Sequence, residues 1–327
     1  MKRVKDNRER DASGRRQRSN YSTPGESATQ RESLCTQSFH TLECVNSCCD
    51  PLLHVDEVPP WQRRDFIVTG YRPMLSIFNA FLSIFFLHNE SGNIWTHLSG
   101  VFYTVYVFWQ WIQADPLKSD YLSVFLMVFF FFTMLTVFGS STLYHTLVCG
   151  SECRAGRCHL FDISSIILHV SSAFFTGVHF GFKCWPNFQR FYLLWASVVT
   201  AGLAFSIANK GKKEGGHVLG FCICSFSGLV PACHWIFIAT EVEGKMMLYP
   251  IFGGCMWYAI GVFFFIRKIP ERYLPTGTCD YVFQSHQIWH VCVFLAAKAF
   301  MQGFLALHQF DMNHPCDLKR DWPRFWR

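Results

Sequence analysis

Charge is what this sequence is short of. Asp, Glu, Lys and Arg make up 16% of its 327 residues against 50% hydrophobic residues, 35 of them Phe, too little polar surface to cover a soluble domain of this size. A soluble globular class is therefore excluded and membrane integration is expected. No apolar run follows the initial Met, so no cleavable secretory leader is expected and the first spanning helix directs insertion. A retention ending of the Lys-Asp-Glu-Leu type is absent too. Apolar runs are missing from the first 50 or so residues, which are rich in Arg, Ser, Glu, Gln and Thr and are expected to be disordered.

What is present lies between about residues 93 and 308. Crossing a hydrocarbon core takes about 20 residues of helix, and seven windows are long enough: roughly 94–113, 121–145, 160–182, 190–209, 216–240, 246–266 and 285–308. Turn and charge signals separate them, among them Asp115-Pro116, Gly150 to Gly156, Trp185-Pro186-Asn187 and Pro270 to Pro275. The expected fold is all-α, a multi-pass seven-transmembrane antiparallel helix bundle. Residues 77–87 are apolar but too short to span and read as an interfacial helix; Pro231 should kink the fifth crossing. The expected organisation is a disordered polar tail to residue 60, an interfacial segment over 61–92, the membrane domain over 93–310 and a short tail over 311–327.

The net charge of +6 is distributed unevenly. With the amino terminus in the cytosol, the inner loops carry Arg154, Arg157, Lys210, Lys212, Lys213, Arg267, Lys268 and Arg272, and the outer loops only Lys118, Lys183, Arg190 and Lys245. Lys319, Arg320, Arg324 and Arg327 pull the other way. The expected topology, amino end inside and carboxy end outside, is the reverse of a G-protein-coupled receptor. The sequon Asn89-Glu90-Ser91 would then face the cytosol and stay unglycosylated.

Ionisable groups at membrane depth are costly and mark function. Helix counting brings His145, Asp162, His286 and His290 to one end of the bundle, the cytosolic end on this topology. His286 and His290 are one helical turn apart and can share an ion. With His145 they suit zinc with an open position, and Asp162 is either a fourth ligand or the holder of a water on the metal. A haem would need a facing histidine pair with room for a porphyrin, which clustering at one helix end fits poorly. His97, His169, His179, His234 and His308 are read as packing or hydrogen-bonding residues.

At these residues the chain resembles the progestin and adipoQ receptor family, related to haemolysin III proteins. The matching pieces are Gly70-Tyr71-Arg72-Pro73, Asn89-Glu90-x-x-Asn93-Ile94-Trp95-Thr96-His97, Ser141-x-x-x-His145, Asp162 and Ser285-His286-Gln287-Ile288-Trp289-His290. Within the family, Ser225-x-Ser227-Gly228, Pro231-x-x-His234-Trp235 and the segment from Lys268 to Tyr273 look most like a Golgi member that tethers a Raf-type kinase. The resemblance implies Zn2+ on His145, His286 and His290, a water held by Asp162, and Ser141 as a hydrogen-bond partner behind the first ligand. It further implies a Golgi membrane location and two alternative activities. One is a receptor-like regulator that holds a cytosolic kinase at the membrane. The other is a ceramidase-like hydrolase that cleaves a ceramide-like lipid amide with a metal-activated water. Arg15, Arg16 and Arg18 are read as a solvated tail, Cys44, Cys48 and Cys49 as candidates for palmitoylation or metal binding, and Cys149, Cys153 and Cys158 as reduced thiols.

Overall fold

The computed structural model describes residues 47–209, 214–314 and 316. The tail arginines Arg15, Arg16 and Arg18, Cys44, the loop lysines Lys210, Lys212 and Lys213, and Lys319, Arg320, Arg324 and Arg327 lie outside the described residues. Among those described, regular structure is helical throughout, and Leu53 and Tyr71 form an isolated β-bridge. The elements are α1 (Ile77–Leu82), α2 (Ser91–Gln113), α3 (Tyr121–Leu147), α4 (Glu152–Gly181), α5 (Pro186–Asn209), α6 (Glu214–Ile238), α7 (Glu241–Leu248), α8 (Gly254–Arg267) and α9 (Ser285–Asn313). A π-turn over Tyr249–Gly253 joins α7 to α8.

Local chemistry sets the boundaries. Asp120 caps α3 by accepting from the Ser123 N–H, Ser151 caps α4, and Thr240 with Glu243 forms a capping box on α7. These caps place α4 eight residues earlier than its apolar window, because its first two turns are polar and project beyond the hydrocarbon. Helix α6 runs through Pro231 unbroken.

Four stretches are long and apolar enough to cross a membrane: Tyr121–Leu147, Glu152–Gly181, Glu241–Arg267 and Ser285–Asn313. The chain is thus a multi-pass membrane protein. Outward-facing Phe102, Trp109, Phe125, Phe132, Phe191, Leu194, Phe226 and Phe263 supply the apolar surface that lipid requires. Half of the apolar window is buried in α3 and in α9, against 22% in the Glu241–Arg267 stretch, so α3 and α9 form the centre. Phe130, Phe131, Met134 and Phe138 of α3 meet Met301, Phe304 and Leu307 of α9 there, together with Trp111 of α2 and Phe180 of α4.

A cap of irregular chain covers one end of the bundle. The sequence pattern assigns residues up to 60 to the tail, yet the structure orders Val55–Glu57 as a 3-10 turn and buries Val58 beside Ile67 and Tyr71. The Thr69 N–H and hydroxyl and the Val68 N–H donate to the Asp280 carboxylate in the α8–α9 loop. Gly70 turns the chain at φ +83°, a conformation that strains any side chain. Beyond it, α1 presents Phe78 and Phe81 outward and the 3-10 turn that follows presents Phe85, an apolar face of the kind an interfacial helix needs. Asn89 is 3% exposed, so the sequon is closed to glycosylation in the folded chain on either side of the membrane.

At the opposite end Lys183 Nζ lies 2.8 Å from Asp120 Oδ2. Partial burial works against ionisation of Asp120, but hydrogen bonds from Lys183 and Ser123 overcome it and hold the carboxyl well below the usual range. A disulfide joins Cys184 to Cys316 at this end. Cys149 and Cys158 are free thiols as expected, whereas Cys153 is disulfide-bonded. Cysteine spacing does not encode connectivity, which is why the sequence reading left Cys153 reduced.

Close helix approach depends on missing side chains: a Cβ on Gly100 of α2 would come within 2.6 Å of the Phe138 ring. Gly100→Leu is therefore expected to cost about 1–3 kcal/mol through overpacking, read as a lower apparent Tm in detergent. An unchanged Tm would mean that Phe138 has room to swing aside.

Candidate metal centre

The centre lies where the cap meets the bundle. His145 sits two residues before the end of α3, and His286 and His290 occupy the first turns of α9. The Nε2 atoms of His145 and His286 are 3.3 Å apart, and those of His286 and His290 are 3.1 Å apart. All three ligand atoms lie within 4.8 Å of one another.

Hydrogen bonds on the far side of two rings decide what these nitrogens are. His145 Nδ1 is 2.8 Å from Glu90 Oε2, and an ionised carboxylate only accepts, so Nδ1 carries the proton. His290 Nδ1 faces the Asn93 carbonyl at 3.3 Å and must donate for the same reason. Both neutral rings then turn an Nε2 lone pair toward His286, whose single Nε2 proton can satisfy one of them at most. A cation satisfies all three. Tetrahedral zinc at its usual Zn–N length sets ligand nitrogens about 3.3 Å apart, so the residues fit the group that the sequence suggests.

The supporting residues hold the ligands from both sides. Glu90, buried at the amino end of α2, accepts from Arg64 Nε at 3.1 Å and from Asn93 Nδ2 at 2.6 Å as well as from His145. Arg64 also reaches the Tyr144 hydroxyl. Arg72 donates to the carbonyls of His145 and Thr146 at 2.7 and 3.0 Å, satisfying orphan acceptors at the carboxy end of α3 and complementing its dipole. On α9, Glu271 accepts from the Ser285 N–H and hydroxyl, an acidic cap on the helix that carries two ligands.

The other expected site residues stand apart from the triad. Asp162 does not belong to the cluster of three; its side chain pairs with Ser140, five residues before His145 on α3, or about 7 Å deeper at the rise of a helix. Its main-chain carbonyl accepts from Ser165. Ser141 is buried one turn before His145. His97, set aside from the sequence, stacks on His290 with ring centroids 3.8 Å apart. Glu90 is not among the site residues expected from the sequence either; the signal is a carboxylate standing between the apolar residues 77–87 and the start of the first apolar window at residue 94.

Comparison with known proteins follows this geometry. The family model for haemolysin-III-related proteins matches residues 85–301, two thirds of the chain, from just before Glu90 to beyond His290. The chain belongs to that family, in its progestin and adipoQ receptor branch. It is 27% identical over 276 residues to progestin and adipoQ receptor-like protein 1 of Caenorhabditis elegans, covering 82% of this chain and 63% of that one. It is 29% identical over 270 residues to the adiponectin receptor protein of Drosophila melanogaster, covering 80% and 60%. With progestin and adipoQ receptor family member 3 of Mus musculus the identity is 27% over 279 residues, covering 81% and 88%. The chain thus spans about three fifths of the worm and fly relatives.

Glu90 holds the proton on His145 Nδ1, so Glu90→Gln is expected to weaken metal binding by about 10–100-fold, the usual effect of losing a carboxylate behind a metal-bound histidine. Competition with a metallochromic chelator would measure it. An affinity equal to that of the wild type would remove Glu90 from the site.

Proposed function

We propose that this haemolysin-III-related chain binds zinc through His145, His286 and His290, and that it acts as a receptor-like regulator embedded in the membrane. The convergence of three imidazole nitrogens within 4.8 Å, two pairs of them at the separation zinc prefers, carries this reading. A zinc ion here would tie α3 to α9, the two most buried of the apolar spans, and would fix the cap through Glu90 and Arg64. Seven crossings with the amino terminus in the cytosol follow from the seven windows and the charged loops, and they place the triad and its cap on the cytosolic side. A Golgi location and a Raf-type kinase as the partner held there rest on the resemblance described above.

A second reading is favoured by Asp162, a carboxylate set deeper in the bundle than the triad and paired with Ser140. In this reading the protein is a zinc-dependent hydrolase of a lipid amide of the ceramide type. Zinc, when bound, supplies Lewis acidity and lowers the pKa of water. The chain's own residues would do the rest: Asp162 receives a proton and passes it to the leaving amine, with Ser140 orienting its carboxyl and Ser141 buried beside the path.

Metal analysis of the purified full chain is expected to find one zinc per chain, lost in His290→Ala. Asp162→Ala then separates the readings. Under the first, zinc content and kinase recruitment persist; under the second, zinc persists while ceramide hydrolysis falls at least 100-fold. Wild-type protein without zinc would rule out both.

Orientation has its own check. With the amino terminus in the cytosol, Cys184 and Cys316 face the oxidising lumen and their disulfide forms in cells, whereas the bond at Cys153, at the other end, faces the cytosol and is the one expected to be reduced there. Maleimide labelling of denatured protein should then reach both thiols only after reduction, and Cys184→Ser should release one labelled cysteine, Cys316. Labelling of both without reductant would invert the topology.

A further inference from the structure

Glu90, Asn93 and His97 lie on one face of α2, and two of them have polar atoms left over. Asn93 uses Nδ2 on Glu90 and its carbonyl on His290, but its side-chain oxygen Oδ1 is buried with no partner. His97, 4% exposed, has no partner for either ring nitrogen. Leaving such a group buried and unpaired costs about 1–3 kcal/mol, and two on successive turns of one helix are not an accident of packing. Their side chains are i, i+4 neighbours, roughly 6 Å apart. The His97 ring stacks on His290 with centroids 3.8 Å and planes 22° apart, and meets the Phe138 ring edge-to-face at 5.2 Å. No hydrogen bond engages either ring nitrogen, so the packing fixes the ring's plane and leaves both nitrogens to a ligand.

We propose that Asn93 and His97 form a subsite for a hydroxyl-type oxygen held beside the three-histidine centre, Asn93 Oδ1 accepting its proton and a His97 ring N–H donating to it. A group with one donor and one acceptor on the same atom is what this pair recognises; a carboxylate would leave Asn93 facing an acceptor, and an alkyl chain would leave both unpaired. Water and a lipid alcohol share that chemistry. The subsite rests on the metal-binding reading above for its neighbour, and on the unpaired atoms of α2 for itself.

The test uses the full chain in detergent, loaded with cobalt(II), whose d–d absorption reports the field around the ion without any turnover. His97→Phe keeps the stacked ring and removes both nitrogens; His97→Gln restores a donor. The expected result is one cobalt per chain in both variants, a shifted band with lower intensity for His97→Phe, and a band close to that of the wild type for His97→Gln. Adding 1-octanol identifies the occupant: a shift in the wild type that His97→Phe lacks assigns an alcohol, and no shift assigns water. Bound cobalt with an unchanged band in His97→Phe overturns this proposal alone and leaves His97 as a packing ring. A wild type that takes up no cobalt overturns the metal reading and the subsite together.

Discussion

A single buried carboxylate, Glu90, holds this end of the molecule together. An ionised group removed from water is tolerated only when it is paired and its lone pairs are satisfied, and Glu90 meets that demand with three partners from three places. Arg64 comes from the cap, Asn93 from the first turn of α2, and His145 from the end of α3. Removing Arg64 leaves the charge unpaired at low dielectric, and removing Asn93 or His145 leaves one of its oxygens short of a donor, so the cap, α2 and α3 are tied together through it. The same contact fixes the tautomer of His145 and turns its Nε2 toward His286. Asp280 and Gln284 extend the constraint to α9, through the Thr69 N–H and the Asn89 carbonyl.

Lipid explains why the interior can be so polar. Burying apolar side chains drives helix association weakly where the solvent is itself apolar, so packing and hydrogen bonds have to do it. Gly92, Gly100, Gly254 and Gly303 let neighbouring side chains and Pro250 approach to distances a Cβ would forbid. Hydroxyls take up the remaining polar groups across helices: Ser140 on Ser165, Thr133 on His169, Ser123 on His179. The bundle is therefore closely packed at its centre, and the triad is held against it because α3 and α9, which carry it, are also the most buried of the apolar spans.

Much of this was legible in the residues. Six of the seven windows match helical stretches to within about five positions at either end, and helix counting with the i, i+4 spacing brings His145, His286 and His290 together. Depth was less legible. The third window was drawn from hydropathy and put Asp162 at a helix start, whereas Ser151 begins the helix eleven residues earlier. The capping serine was in the sequence, but hydropathy does not register it. The cap was missed for a different reason: residues 47–75 are irregular, and irregular chain has no period to detect. Glu90 belongs with it, since its significance comes from Arg64 and His145, distant in sequence and near only once folded.

Whether the centre braces helices or performs chemistry turns on what lies beyond it. A purely structural clamp needs three ligands, a rigid frame and an apolar surround, because every unpaired polar atom behind it is a cost without return. The interior here is built otherwise. Asn93 Oδ1 and the His97 nitrogens stand unpaired next to the triad, and Asp162 and Ser140 lie one to two turns deeper than His145 on neighbouring helices. A zinc ion held by three imidazoles from two helices would keep a fourth position free, and the polar groups of α2 and α4 are the ones that would serve it. Retaining them against a desolvation cost of about 1–3 kcal/mol each is intelligible if a polar molecule occupies that side. On this ground a centre open to a bound molecule, whether ligand or substrate, accounts for more of the buried residues than a closed structural site does.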